Sequence, residues 1–235
     1  MPLVLRPGED ADATRMAEIE RTAFADNKLT PFLFPGPFPD DALEKRAEGL
    51  IAQRQNDPTT RWVKVVDTDT NTDELVAYAK WNIMDKLRDP EPGRQEFGPG
   101  CNIEMCKEYF GGIYRKRAEL MGGKAYCCKL MGSHPLFVCT AYVDRFLSSY
   151  SVLDLLQTDP QYQGRGAGGM LIQFGLDMAD QLRVPAYLES SPNAHGLYYR
   201  YEFRDIGQFT LNPKWNYGDA DGTIYFMIRD VPEPK

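Results

Sequence analysis

The spacing of apolar residues in the first quarter of the chain is first strand-like and then helix-like. Residues 3–8, LVLRPG, predict a β-strand that ends in a Pro-Gly turn. Apolar residues at helical spacing predict one helix over residues 10–24 and a second over residues 40–55. Residues 31–39 hold four prolines between apolar residues, which predicts a stiff loop that packs on the body of the protein or borders a pocket.

The middle of the chain begins with two strand-like segments. Residues 61–69 and 74–84 are rich in β-branched and aromatic residues and are joined by a polar turn region, so they predict an antiparallel hairpin. Residues 85–100 are rich in Pro and Gly. Residues 102–120 have helix-like spacing apart from a Gly-Gly pair.

The last third of the chain predicts a β-α-β unit with a short helix and a final strand. Residues 151–158 and 185–190 are strand-like, and apolar residues at helical spacing follow Gly166 between them. Residues 196–201 predict a short helix and residues 222–230 the final strand. Antiparallel strands early and a β-α-β unit late are typical of an α+β or mixed α/β domain.

Composition narrows the class of protein. The 235 residues suit one domain spanning 1–235, and 43% hydrophobic residues suffice for a packed core. The net charge of −7 argues against a nucleic-acid partner, because phosphate binding needs clustered Lys and Arg. An acidic surface is compatible with a cationic substrate such as an amine.

Cysteine and histidine usage gives no indication of a metal site. The two histidines are too few for a zinc site, and the five cysteines show no paired C-x-x-C spacing. The first ten residues lack the apolar run of a signal peptide, and no apolar run approaches membrane-spanning length. We therefore expect a reduced, soluble, cytoplasmic protein without a metal or a membrane partner.

The glycine-rich stretch at residues 161–170, QYQGRGAGGM, is typical of backbone that wraps phosphate. A Walker A loop is excluded, because Met-Leu follows where Lys-Ser or Lys-Thr is needed. Gly164, Gly166 and Gly169 satisfy the dinucleotide pattern G-x-G-x-x-G, and Glu189 lies where a ribose-binding acid would lie. However, five residues separate the preceding strand from these glycines, and only 46 residues remain after Glu189 to complete a doubly wound sheet.

A third interpretation takes Gln163, Gly166 and Gly168 as the pattern Q-x-x-G-x-G. It places a strand, a Pro-containing loop and a glycine-rich turn before a helix. Small residues there let successive backbone N–H groups point into one concavity at the helix N-terminus, which suits a pyrophosphate. Tight helix–strand packing is the alternative use of the same glycines.

Residues 153–206 resemble the acetyl-CoA-binding half of the GNAT superfamily of N-acetyltransferases, especially its fungal small-molecule branch. The resemblance rests on the Q-x-x-G-x-G loop and on LYYRYEF at residues 197–203, which is similar to the family pattern L-Y-x-x-x-G-F. It implies the GNAT fold: a mixed α/β, mostly antiparallel twisted sheet flanked by helices. It also implies that two strands splay apart in a V around acetyl-CoA.

The resemblance also implies the residues that bind acetyl-CoA. The main chain of Leu156 and Thr158 would pair with the pantetheine arm. Asn193 would lie near the same arm, or would cap the following helix instead. The pyrophosphate would lie on the glycine-rich loop, whose residues are Gln163, Gly164, Arg165, Gly166, Ala167 and Gly168.

The catalytic expectations concern three side chains. Tyr198 matches the tyrosine that protonates the departing thiolate in many members; packing against the cosubstrate is the alternative. Glu189 and Asp154 flank the cosubstrate and are the candidates for the base that deprotonates the amine, although either could form a structural ion pair. Glu202 stands where the family usually has glycine, which questions the geometry of that turn.

The function implied by the resemblance is acetyl transfer to an amine, and we expect a small-molecule acceptor. Protein or peptide N-acetylation and non-catalytic acyl-CoA binding are the alternatives. A homodimer is left open. Residues 124–149 are an atypical insertion with a different composition, either a lid or the product of an imperfect gene model.

Overall fold

The computed structural model describes residues 3–69, 73–83, 95–121, 138–139 and 151–232. The strands are β1 (Leu3–Pro7), β2 (Thr60–Asp67), β3 (Glu74–Ile83), β4 (Gln95–Glu96), β5 (Val138–Cys139), β6 (Ser151–Thr158), β7 (Ala186–Ser190), β8 (Arg204–Thr210) and β9 (Thr223–Arg229). The α-helices are α1 (Ala13–Ala25), α2 (Thr30–Leu33), α3 (Ala42–Asn56), α4 (Ile103–Met121), α5 (Ala167–Leu182) and α6 (Pro192–Tyr199). Short 3₁₀ turns occupy Asp10–Asp12, Pro160–Tyr162 and Pro213–Trp215.

Seven strands form one sheet in the order β1-β2-β3-β6-β7-β9-β8. Every neighbouring pair is antiparallel except β6 and β7, which are parallel and are connected through α5. The prediction of a mixed α/β fold with a mostly antiparallel sheet is therefore confirmed. A doubly wound dinucleotide fold would require a mostly parallel sheet, so this topology excludes it.

Strands β6 and β7 separate after a short paired stretch. Only three residue pairs join them, and Leu153 opposite Leu188 is the last. β6 nevertheless continues to Thr158 and stays paired with β3 along its other edge. Between Asp154 and Thr158, the edge of β6 that faces away from β3 therefore has no strand partner in the described structure. This is the V-shaped splay.

Helices cover both faces of the sheet. On one face, α5 packs against β2, β3 and β6 through a core that includes Leu171, Ile172 and Leu176. On the opposite face, α1 and α3 cover the N-terminal strands, while α4 covers β8 through a separate aromatic core. Within the described residues, no helix combines the length and the apolarity that crossing a bilayer requires.

Three local features differ from the sequence predictions. The helix α4 continues through its Gly-Gly pair because the Phe209 ring of β8 occupies the space beside Gly112, where a Cβ would lie 2.2 Å from that ring. The Pro-rich loop contains the short helix α2, with Pro31 in its first turn, where a missing N–H costs nothing. Strand β8 was not predicted. The proposed insertion at 124–149 lies outside the described residues except for 138–139.

Candidate active site

The glycine-rich loop forms an open set of backbone donors at the start of α5. Gly164 and Gly166 have φ values of +74° and +92°, left-handed conformations that favour glycine, and a Cβ on either would meet nothing within 4 Å. Gly166 is the N-cap, and no side chain caps the helix. Within the described residues, the amide N–H groups of Gly164 and of residues 166–169 donate no backbone hydrogen bond. Such free amides at the positive end of a 16-residue helix suit a diphosphate.

Side chains from β2 and β3 hold this loop in place. The Arg165 guanidinium lies 2.7 Å from an Asp67 carboxylate oxygen and stacks 5.0 Å from the centre of the Tyr162 ring. The Tyr162 hydroxyl donates to Glu74 at 2.9 Å. The hydrogen bond from Arg165 lowers the pKa of Asp67, which keeps that carboxylate charged. Arg165 therefore lies at the rim of the loop in a fixed position.

The residues expected along the splayed edge lie as follows. Leu156 and Thr158 belong to the part of β6 that has no partner on the β7 side, and the Leu156 side chain packs toward α5. The exposed Gln163 side chain donates to the Thr158 carbonyl at 3.4 Å. Asn193 is exposed in the first turn of α6, where Ser191 is the N-cap and no side chain makes a capping bond, so Asn193 does not cap the helix.

Tyr198 lies on α6 with its ring in the same core as α5. Its ring is buried and meets the Phe203 ring edge-on at 6.0 Å between centroids. Burial raises the pKa of Tyr198 well above its ordinary value of 10.0, so the phenol stays protonated at neutral pH. The hydroxyl has no hydrogen-bond partner within the described part of the chain.

Glu189 lies on the opposite face of the sheet, the face that α4 covers. Its carboxylate accepts two hydrogen bonds from Arg117 of α4, from Nε and Nη2, at 2.5 Å each. The Tyr187 hydroxyl, two residues earlier on the same face of β7, donates to Glu189 Oε1 at 2.7 Å. Glu189 Oε2 therefore keeps room for one further donor.

Asp154 is a bulge residue. Lys80 pairs with Leu155 and Trp81 with Leu153, so Asp154 is the extra residue of β6. Its side chain is 1% exposed, and Oδ2 lies 2.5 Å from Lys80 Nζ. Within the described ranges, neither carboxylate oxygen accepts an aligned hydrogen bond, so the contact is electrostatic in character. Asp154 thus forms a buried ion pair just where β6 leaves β7.

The turn after α6 keeps the backbone shape that a glycine would give. Glu202 has φ +65°, in the left-handed region, and the Phe203 amide N–H donates to the Tyr198 carbonyl at 3.3 Å. The substitution of Glu for the family's glycine therefore leaves the turn in place and adds backbone strain. The doubt about this turn, which arose because Glu202 replaces a glycine, is therefore removed.

Sequence reasoning missed Arg117 and Lys80, the two cations that bind the candidate carboxylates. Arg117 is 72 residues from Glu189 and lies outside the segment that resembles the family. Lys80 offered one indication, because it interrupts a strongly apolar strand whose residues are otherwise almost all buried. Such a lysine needs a buried anion as its partner.

Comparisons with known proteins agree with this geometry. A family model described as the acetyltransferase (GNAT) domain matches residues 135–212. An uncharacterized N-acetyltransferase of Schizosaccharomyces pombe is 24% identical over 214 residues, which cover 84% of this chain and 80% of that protein.

Solved structures share the fold. A Corynebacterium glutamicum protein described as histone acetyltransferase HPA2 and related acetyltransferase has a TM-score of 0.54 at 19% identity, with 100% of this chain and 99% of that chain covered. A mosquito arylalkylamine N-acetyltransferase like 5b has a TM-score of 0.57 at 15% identity, with 97% and 99% covered. The family match over residues 135–212, together with the sheet order, the splayed strands and the shared fold, supports membership of the GNAT superfamily of acyltransferases.

Proposed function

We propose that the protein transfers the acetyl group of acetyl-CoA to a primary amine of a small molecule. The observation that carries the proposal is the set of amide donors at Gly164 and residues 166–169, which lies beside the edge of β6 that has no strand partner in the described structure. A diphosphate attached to an extended amide-containing arm has the chemistry that both features bind. Acetyl-CoA has this form, and its thioester supplies the acetyl group.

The glycine-rich loop and the open edge of β6 would bind different parts of acetyl-CoA. The backbone amides from Gly164 to Gly168, including that of Ala167, would bind the pyrophosphate. The Arg165 side chain would add positive charge at the rim of the loop. Main-chain groups of Leu156 and Thr158 would pair with the pantetheine arm, and Gln163 orders the carbonyl of Thr158 at the entrance. Asn193, exposed and without a capping bond, remains available to the same arm.

Tyr198 is assigned as the proton donor to the departing thiolate. A thiolate needs a neutral acid beside it, and the raised pKa of the buried Tyr198 keeps the phenol protonated until a strong base forms next to it. Because the Tyr198 hydroxyl has no partner in the described structure, it can donate a hydrogen bond to the thiolate without breaking another bond.

Glu189 is assigned to the acceptor side. It lies on the face opposite Tyr198, so an amine that approaches between the two would meet a carboxylate on one side and the acid on the other. Arg117 and Tyr187 occupy three of the Glu189 lone-pair positions, which leaves one for the ammonium group or for a water that takes its proton. Asp154 is too enclosed for this role, and we assign it to the bulge that parts β6 from β7.

The proposal is tested by calorimetry and by thiol release. CoA should bind while NADP does not. Acetyl-CoA should then release thiol in the presence of small amines, tested with arylalkylamines and polyamines beside peptides with a free N-terminus. Release with peptides alone would move the acceptor to the protein class, and binding without any release would leave a binding module. Absence of CoA binding would overturn the proposal.

A further inference from the structure

Two cysteines, Cys101 and Cys106, lie on either side of the N-cap of α4. Asn102 is the N-cap, because its Oδ1 accepts the Met105 amide at 3.3 Å and its carbonyl accepts the Cys106 amide at 2.8 Å. Cys101 therefore precedes the cap and Cys106 is the fourth helical residue. In capped helices, side chains at these two positions pack together as a hydrophobic staple. Here both are thiols, and Cys101 packs against the apolar cluster that contains Cys106.

The backbone around the pair is fixed from outside the helix. The Leu33 carbonyl accepts the Asn102 amide at 2.8 Å and also lies 3.3 Å from the Cys106 sulfur. The Gly36 amide donates to the Gly100 carbonyl at 3.0 Å. The backbone on both sides of Cys101 is therefore anchored to the end of α2 and to the segment that follows it.

The two thiols differ in access and in acidity. Cys106 is fully buried, whereas Cys101 is partly exposed. The hydrogen bond from Cys106 lowers the pKa of Cys101, and a bond from the Gly98 amide acts in the same direction. The bond to Cys101, followed by burial, raises the pKa of Cys106. Cys101 is therefore the more accessible and more acidic of the two thiols, and Cys106 is its buried partner.

We propose that Cys101 and Cys106 form an oxidant-sensitive dithiol that closes to a disulfide when exposed to a peroxide. The Cys101 thiolate attacks one peroxide oxygen, the O–O bond breaks, and hydroxide leaves from a Cys101 sulfenic acid. The Cys106 sulfur then displaces the sulfenic hydroxyl, which departs as water with the Cys106 proton. The sulfurs lose two electrons in total, and hydrogen peroxide is reduced to water.

The closed form leaves no buried group without a partner. The Cys106 thiol donates its one proton to the Leu33 carbonyl at 3.3 Å. When that proton is lost, the Leu33 carbonyl keeps its bond from the Asn102 amide. The reaction is independent of acyl transfer and adds a covalent bond where a staple contact already exists.

Hydrogen peroxide, reacted with the folded full-length chain, tests the proposal. Trypsin cleavage after Arg94 and Lys107 places both cysteines in one peptide, residues 95–107, apart from Cys127, Cys128 and Cys139. We expect this peptide to become two hydrogens lighter, to resist alkylation and to regain both properties after reduction. Oxygen addition at Met105 in the same peptide is a separate product with a different mass.

Two variants separate the roles. Cys101→Ser should slow the oxidation of Cys106 by about tenfold or more, because the remaining thiol is buried and protonated. Cys106→Ser should leave a Cys101 sulfenic acid that dimedone traps. The proposal is overturned if wild-type Cys101 accumulates the dimedone adduct while Cys106 stays free, if either cysteine pairs with one outside the peptide, or if both alkylate fully after treatment.

Discussion

Arg117 of α4 and Glu189 of β7 form a two-point ion pair in which both N–O distances are 2.5 Å. The Arg117 side chain is 2% exposed and that of Glu189 is 14% exposed, so solvent cannot replace either partner. The pair joins a helix of one layer to the strand that ends at the acceptor side of the proposed site. The ion pair therefore stabilises the fold and also fixes the position of the Glu189 carboxylate.

Replacing Arg117 with Met should lower the free energy of unfolding by about 3–5 kcal/mol, because the buried Glu189 carboxylate then has no cation. Adding Glu189→Gln to Arg117→Met should recover part of that loss, since an amide costs less to bury than a charge. Urea unfolding measures both changes. The control is Lys116→Met, one residue earlier, where the ammonium group pairs with the exposed Glu119; this change should alter stability by about 0.5 kcal/mol or less. Equal effects at the two positions would contradict the structural role of the pair.

Replacing Tyr198 with Phe should lower the turnover number by about 10²- to 10⁴-fold, because the thiolate would leave without a positioned acid. The affinity for CoA should stay nearly unchanged, since the ring still fills its place beside Phe203. Steady-state thiol release and calorimetry measure the two quantities. Tyr199→Phe is the matched control, because that neighbouring ring is 49% exposed and faces away from the core. Unchanged turnover in Tyr198→Phe would remove the assigned role.

The parts of the fold and site that could be predicted from the sequence are those set by local pattern. The glycine-rich loop carries its backbone conformation in its own residues, and α5 carries an uninterrupted apolar face. Strand β8 has no such pattern: Gly207 and the bulge beside it break the alternation, and the strand exists because it pairs with β9. The Arg117–Glu189 pair likewise depends on how α4 packs, which no spacing within either segment specifies.

Replacing Gly166 with Ala should lower the free energy of unfolding by about 1–2 kcal/mol and weaken CoA binding. Gly166 has a φ of +92°, which an alanine adopts only with strain. The same backbone conformation orients the loop amides toward the proposed pyrophosphate site. Gly196→Ala is the opposite case: it lies within α6, a Cβ meets nothing within 4 Å, and the helix should gain about 0.5–1 kcal/mol. Urea unfolding compares the two. A stabilised Gly166→Ala would contradict the left-handed cap.

Stability should fall as the pH rises above 10. Burial raises the pKa values of Tyr78, Tyr109 and Tyr198 above their ordinary 10.0, while the unfolded chain titrates at the ordinary value. Above pH 10 the unfolded state therefore loses protons that the folded state retains, which favours unfolding. Below about pH 9 these groups contribute no pH dependence. Urea midpoints measured across this range should show the fall, and Tyr109→Phe should make it shallower; an unchanged slope would contradict burial of that phenol.

Glu202 offers a test of the one position where the chain departs from the family pattern. Glu202 has a φ of +65°, a conformation that favours glycine. The only ion pair that Glu202 makes in the described structure is with Arg229 at 3.7 Å, and the Glu202 side chain is 81% exposed. Such a pair contributes little. Glu202→Gly should therefore raise the free energy of unfolding by about 1 kcal/mol over Glu202→Ala, because alanine keeps the strain and glycine removes it. Both variants lose the same ion pair, so urea unfolding of the two isolates the backbone term. If Glu202→Ala proved as stable as Glu202→Gly, the turn would not hold a left-handed residue at 202, and the agreement between this turn and the family's glycine would be lost.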